Sequence, residues 1–578
     1  MATDKLIFDL SNEIEATPNV FVKKDWLNIL DNMNGNYNGN QSIIDTSQLS
    51  NSNKYMSYRE AYMLIPLTLT LAGGTGADPA FGTAATSGDY AIGLKNWFGS
   101  IIHSFTCDYN GTTIIQQTPY ANMWNSFKLL TSLSWNDVNT QGATIGFFPD
   151  DPSSWTYNPV ATLNGIGVCN NTNKLDFTPV SGSFNSFNSG KGNSGFLKRQ
   201  QNINFDLNGV CGGAPYQALI TSTNLNNLWK SYISSQQYEA GNNSVLQIAI
   251  TAIVYLKHIH SFFQQVPLLK GVFMKMTMNL NNCNVTLAGS YVNTSPAIET
   301  LSVTSVSVPV GGVCPILIAS AETNNGSAAC LISEGNVTAA TYYANLSVGA
   351  NILNGGTNFP GNPSTPLSRN IYLYVPAYTF NPVFEQAYLS SPVKQINYTD
   401  IYQYQVLNVQ PNTIFNQLIT NGIAGIKSVL IIPFIAQAEN PTGCGVPEFQ
   451  SPFDPAGCGP TAPLALLTNF NVVVSGQNSI YNTQRYAFEE FNNQLYGCNA
   501  VNGGQTDGLT SGLIDNFAFN MEYCYYYVNV SRMLPVEESV PKSVQIVGNN
   551  QSQKALDLWV FIEYDCDVSI DILTGSRV

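Results

Sequence analysis

Hydrophobic and polar positions alternate with a period of two along much of this chain. Met63, Ile65, Leu67, Leu69 and Leu71 alternate with Leu64, Pro66, Thr68 and Thr70, the pattern of a strand with one buried face. From Val272 the same period sets Met274, Met276, Met278 and Leu280 against Phe273, Lys275, Thr277 and Asn279. Further strands are predicted at 371–375, 429–434, 472–474, 523–530, 558–564 and 568–573, and the nearly unbroken apolar run 248–256 suits a strand covered on both faces. Helical spacing is rare and short. Ile259, Phe262, Phe263 and Val266 fall at i, i+3, i+4 and i+7 before Pro267 stops the run; Met123, Trp124, Phe127 and Leu130 form a second stripe, and Phe488, Phe491 and Leu495 a third. Loops rich in Gly, Ser and Asn separate the strands, notably at 181–195 and 350–366. The pattern predicts an all-β chain of the sandwich or jelly-roll kind with a few short helices.

One internal echo divides the chain. Residues 105–115, FTCDYNGTTII, and 470–480, FNVVVSGQNSI, share a Phe, a Gly six residues on and an Ile four after that. Each leads into one of the short helices, then into an apolar strand (248–256; 523–530) and another strand (272–280; 544–547). The shared succession predicts two similar β-domains. Residues 1–52 are Asn-rich and weakly patterned. The first half carries extra material at about 283–366, with short strands of its own at 303–310 and 315–319.

Composition narrows the function. Charged residues are 10% of the 578, against about 25% in a typical soluble protein. A compact monomer of 62.8 kDa would expose roughly 20,000 Å², so its 23 basic and 37 acidic side chains are sparse. Such a surface suits a protein that buries much of its outside against copies of itself; a secreted β-rich protein is the bland alternative. A net charge of −14, with Lys23-Lys24 and Lys198-Arg199 as the densest basic spots, argues against direct nucleic-acid binding. Acidic residues interrupt the N-terminus before any signal-peptide core forms, and the longest apolar stretch is too short to span a bilayer, so no transmembrane contact is expected. Eleven cysteines without a Cys-x-x-Cys favour free thiols in a reducing compartment. Cys444 and Cys458 flank a Gly/Pro-rich loop and are placed to pair if oxidised.

Candidate chemistry is thin. Two of the three histidines, His258 and His260, lie two apart, but on a helix they point about 200° from each other. No Asp or Glu occurs between Glu239 and Glu299 to orient an imidazole or complete a ligand set. No nucleophile elbow or phosphate-binding loop is present. Asp565, Asp567 and Asp571 lack the spacing of a calcium loop and read as solvated strand-edge charges; Glu489-Glu490 read as the wet face of a helix. No catalytic, cofactor-binding or metal-binding residues are expected, and the chain reads as no enzyme.

In blocks over more than half its length the sequence resembles the double jelly-roll major capsid proteins of virophages, polintons and polinton-like viruses. The blocks are NKYMSYREAYMLIPLTLTL (53–71), VYLKHIHSFFQQVPLLKGVFMKMTMNLN (254–281), RNIYLYVPAYTFNPVFEQAYL (369–389), FNQLITNGIAGIKSVLIIPF (415–434), SPFDPAGCGPTAPLALLTNFNVVVSG (451–476) and YYYVNVSRMLP (525–535). Ser451, Pro452, Phe453 and Asp454, with Ser531 and Arg532, are its structural signature; Asn529 departs from it, standing where an acidic residue is expected, and the 283–366 insertion has no counterpart. The resemblance implies an N-terminal arm at 1–52, two tandem eight-stranded jelly rolls at 53–390 and 391–578, and a capsid role. Three subunits would form a pseudo-hexagonal capsomer that tiles the icosahedral shell of a dsDNA virus. Its partners would be itself and penton and minor capsid proteins; its place, the virion shell, assembled in the host cell interior. The SPFD residues would be structural, in a tight turn. The alternatives are a secreted carbohydrate-binding or carbohydrate-active jelly-roll protein, which would want a signal peptide, an aromatic groove and matched disulfides, and a tail or receptor-binding protein, which would want fibre-like repeats.

Overall fold

The computed structural model describes residues 19–73, 90–150, 174–176, 195–199, 233–240, 243–292, 298–320, 331–332, 337–349, 353–354, 357–358, 370–439, 446–461, 465–480, 486–496, 512–531 and 540–577, less positions 38, 50, 51, 197, 310, 553 and 573–575. Eight strands build the first half: β1 (Phe21–Leu30), β2 (Gln41–Asp45), β3 (Tyr62–Gly73), β4 (Ile102–Tyr109), β5 (Thr112–Ile115), β6 (Asn243–Tyr255), β7 (Met274–Leu280) and β8 (Tyr372–Phe380). They pair as β1-β8-β3-β6 in one sheet and β2-β7-β4-β5 in the other. Eight more build the second half: β9 (Val393–Val409), β10 (Thr413–Ile423), β11 (Ile426–Ile435), β12 (Leu467–Val474), β13 (Gln477–Asn478), β14 (Tyr526–Asn529), β15 (Lys542–Asn550) and β16 (Leu556–Asp571). Their orders are β9-β16-β11-β14 and β10-β15-β12-β13. Adding eight to every label of the first half gives the second. Each half is a complete jelly roll, its two sheets closing on one apolar interior.

The period-two pattern is what fills those interiors. Met63, Ile65, Leu67 and Leu69 of β3 and Met274, Met276, Met278 and Leu280 of β7 are all buried in one continuous core. In the second roll Leu558, Val560 and Ile562 of β16 and Val544 and Ile546 of β15 do the same. Segments 105–115 and 470–480 are the β4–β5 and β12–β13 hairpins. Asn110 and Gly111 hold left-handed φ of 45° and 80° in the first, and Ser475 and Gly476 of 49° and 83° in the second, the geometry of a two-residue hairpin loop.

Four expectations shift. The stretch read as an arm contains β1 and β2: β1 pairs with the whole of β8, from Phe21 opposite Phe380 to Leu30 opposite Tyr372. It escapes a pattern reading because it is an edge strand with one fully buried side chain, Ile29. The insertion holds long strands where short ones were expected. The last seven residues of β3 pair with Val337–Val348, which pairs with Cys283–Val292, which pairs with Ile298–Ser307. These extend the first roll's sheet because β3 outruns β8, which reaches only Tyr62 to Leu64. Segments 558–564 and 568–573 are one strand of 16 residues; the 565–567 stretch left between them pairs with β9, Asp565 opposite Thr399 and Asp567 opposite Asn397. The stripe around 259–266 forms two one-turn helices, Leu256–Ile259 and Phe262–Gln265, with His260 extended between them.

Strand β1 gives a direct test. Ile29→Asp places an unpaired carboxylate in the core and should cost about 3 kcal/mol or more in denaturant unfolding, whereas Val22→Asp, at a position 68% exposed, should be near neutral. A loose arm would tolerate both.

Candidate functional site at the interface between the rolls

The strongest convergence of buried polar chemistry lies where the rolls meet. Helix α1 (Ala121–Ser132) follows β5 and has ten of its twelve residues buried. It lies on the β9-β16-β11-β14 sheet of the second roll. Trp124 meets Phe561 at 6.2 Å between ring centroids, and Phe127 meets Tyr525 and Tyr527 at 5.0 and 5.6 Å, distances at which aromatic pairs attract. At the edge of this apolar contact Lys128 Nζ reaches Glu563 Oε1 at 3.4 Å. Glu563 also accepts from Ser428 Oγ at 2.8 Å and Thr399 Oγ1 at 3.0 Å. Burial pushes its carboxyl up, and Lys128 with the two hydroxyls more than offsets that, holding it below the usual range.

A second seam joins residues 256–265 to β9. Ser261 Oγ donates to the Thr399 carbonyl at 2.6 Å and accepts from the Thr399 N–H at 2.9 Å. His260 Nε2 lies 3.3 Å from Asp400 Oδ1, while Asp400 Oδ2 accepts from the Gln116 N–H at 3.2 Å. Tyr398 OH donates to the Ile114 carbonyl at 2.6 Å and Thr118 Oγ1 to that of Ile401 at 2.9 Å. The carboxylate missing from the sequence around His260 thus comes from 140 positions away. His258 points elsewhere, edge-on to Trp97 and Tyr255 at 6.3 and 5.7 Å, and burial, aided by Lys257, pushes its pKa down to about 4. A cavity of about 430 Å³ opens beside the seam, lined by Phe105, Lys128, His258, His260, Asp400 and Glu563 among others. Among the described residues no group of His, Cys, Asp and Glu side chains is placed to hold a metal ion; Asp565 instead pairs with Lys427 at 2.6 Å.

The third seam is the least expected. Lys95, 1% exposed, crosses from the first roll into the β11–β12 connection of the second. Its Nζ donates to the carbonyls of Ser451 at 2.8 Å, and of Phe449 and Ala456 at 3.3 Å each. Ser451, Pro452, Phe453 and Asp454 are buried here. Phe453 N–H donates to Ser451 Oγ at 3.2 Å, Ala456 N–H to Asp454 Oδ1 at 2.8 Å, and Ile318 N–H to the Pro452 carbonyl at 2.7 Å. Gly457 turns the loop at φ +92°; a Cβ there would lie 2.6 Å from that of Phe449. Glu448 Oε2 accepts from the Ile435 N–H at 2.6 Å. Burial pushes the Glu448 carboxyl up to about 8 and that of Asp454 to about 7, with Lys95 acting against the rise in both.

The remaining signature residues lie apart. Ser531 is exposed after β14, where its N–H and Oγ donate to Asn529 Oδ1 at 3.1 and 2.6 Å. The amide oxygen of Asn529 fills the acceptor role that a carboxylate would. Arg532, Glu537, Glu538 and Cys444 lie outside the described residues; Cys458 is a buried free thiol. Sequence reading missed Lys95, Asp400 and Glu563. Lys95 carries one signal, a lone charge in an apolar setting, GLKNWFGSII, in a chain with few charges; Asp400 in NYTDIYQ and Glu563 in FIEYDCD carry none.

Two predictions follow from the Lys95 seam. Lys95→Met keeps the stem and strands three buried carbonyls, and should lower unfolding stability by about 3 kcal/mol; a loss under about 1 kcal/mol would show that the ammonium is not a clamp. Between the ordinary carboxylate value of 4.5 and about 8 the folded state keeps a proton on Glu448 that the unfolded chain has lost. Stability therefore falls as pH rises through this window. Glu448→Gln removes that dependence, so the melting temperature of the variant relative to the natural protein should climb from about pH 5 to about pH 8.

No family model matches the chain, and no curated protein does. Solved structures do. A chain of the Sputnik virophage, solved by cryo-EM, aligns over 99% of this chain and 91% of its own length at 12% identity and a TM-score of 0.46. The mavirus major capsid protein aligns over 98% and 92% at 8% identity and 0.41, and the Faustovirus major capsid protein over 97% and 93% at 9% and 0.42. It is the two matching strand orders within the chain itself that make it a double jelly roll.

Proposed function

We propose that this chain is a major capsid protein, three copies of which close into a pseudo-hexagonal capsomer that tiles the icosahedral shell of a dsDNA virus. The observation that carries the reading is an asymmetry between matching helices. In the first roll α1 follows β5 and is covered by the second roll. In the second roll α2 (Phe488–Tyr496) follows β13, the matching strand, and of its first eight residues only Phe491 is buried. Among the described residues no third roll covers it. A ring of three copies supplies one: the first roll of the next copy stands to α2 as the second roll stands to α1, and six similar lobes close round one axis.

Other features support self-association. Edge strand β1 exposes Val22 and Trp26 (68% and 48%), and edge strand β10 exposes Ile414 and Leu418 (84% and 45%). Open edges with apolar side chains invite pairing unless a neighbour covers them. The sparse charge lowers the desolvation cost of such lateral contacts. With a net charge of −14 the shell would not grip nucleic acid itself; penton and minor capsid proteins would be its other partners, and the virion shell its place. Ser451–Asp454, with Ser531 and Arg532, read as structural and not as a binding site.

Size-exclusion chromatography with light scattering tests this. A species of three chain masses, with a roughly hexagonal outline in negative stain, is expected at micromolar concentration; a strictly monomeric protein would overturn the reading.

A further inference from the structure

Two cysteines meet at the root of the insertion. Cys283 opens the strand Cys283–Val292 just after β7, and Cys314 precedes the strand Ile316–Ser320. They are 31 positions apart, yet their sulfurs lie 3.5 Å from each other, both fully buried. Both backbones are pinned. Cys283 is paired opposite Leu346, and the Cys314 N–H donates 3.1 Å to the carbonyl of Phe449, in the second roll's loop around Lys95. A disulfide needs the sulfurs at about 2 Å, so closure asks for an approach of about 1.5 Å from the 3.5 Å seen here.

We propose that Cys283 and Cys314 form a redox pair that closes to a disulfide by exchange with a small-molecule or protein disulfide. The thiolate of one cysteine attacks one sulfur of the reagent, and the other reagent sulfur leaves as a thiolate. The second cysteine then gives up its proton and attacks the Sγ now bonded to the reagent, expelling the second reagent thiolate. Two electrons pass to the reagent, and the two protons end on its two released thiols. Closure would tie the first strand of the insertion to a segment hydrogen-bonded to the second roll, and constrain the unfolded chain as any such loop closure does. Nothing in this step requires the chain to assemble.

The test uses the full chain in two arms: native protein treated with oxidised glutathione, and protein refolded in a glutathione redox buffer, which presents the reagent before the thiols are buried. Both are alkylated and mapped by mass spectrometry. A peptide linking 283 to 314, lighter by two hydrogens, with a higher melting midpoint than the reduced protein, is expected, and Cys458→Ser should leave it unchanged. In the refolding arm Cys283→Ser should trap a glutathione adduct on Cys314, and Cys314→Ser one on Cys283. Free, alkylated Cys283 and Cys314 after refolding, while half-buried Cys566 carries an adduct, would overturn the pair.

Discussion

An ammonium removed from water costs several kcal/mol unless its hydrogen bonds are replaced, and Lys95 replaces them with three carbonyls of the opposite roll. That exchange works only while residues 449–456 keep one conformation, so the charge of one roll fixes the backbone of the other. Gly457, held at a positive φ against Phe449, closes the same loop. The insertion is caught in it too, through the backbone contacts of Cys314 and Ile318 with Phe449 and Pro452. Sliding one roll past the other would strand the ammonium.

Around that fixed point the rest of the interface divides by chemistry. The α1 contact is aromatic and dry in character, with Lys128 and Glu563 closing its rim, and supplies area. The 256–265 seam is polar and local, with His260, Ser261, Asp400 and Tyr398 exchanging bonds that set register along β9. A chain built this way presents two lobes as one body. Matching helices then stand in matching places, α1 covered by the second roll and α2 half-buried on its own roll, with Phe488 and Phe491 against Phe519.

How much of this could be read from the residues depends on how local each signal is. The alternation at Met274–Leu280 and in β3 betrays buried faces directly, and the 105–115 and 470–480 echo marks corresponding hairpins of the two rolls. Strand β1 hides because an edge strand with a single buried Ile29 has no alternation to show. The insertion's strands were legible in part, but their lengths depend on β3 outrunning β8, a fact of pairing. The interface was the hardest to see. His260 and Asp400 are distant in sequence, and Lys95 differs from a surface lysine only in what the fold brings to it. Histidines that drew attention as a pair turn out to serve different neighbours, one in an aromatic pocket and one at a seam.

A cryo-EM reconstruction of the assembled protein would test the ring most directly, by showing what covers α2. The expected result is Phe488 and its neighbours buried against the first roll of an adjacent copy, in the same relation as α1 to the second roll. Assemblies in which α2 stays open to solvent, or in which copies meet through other faces, would contradict it.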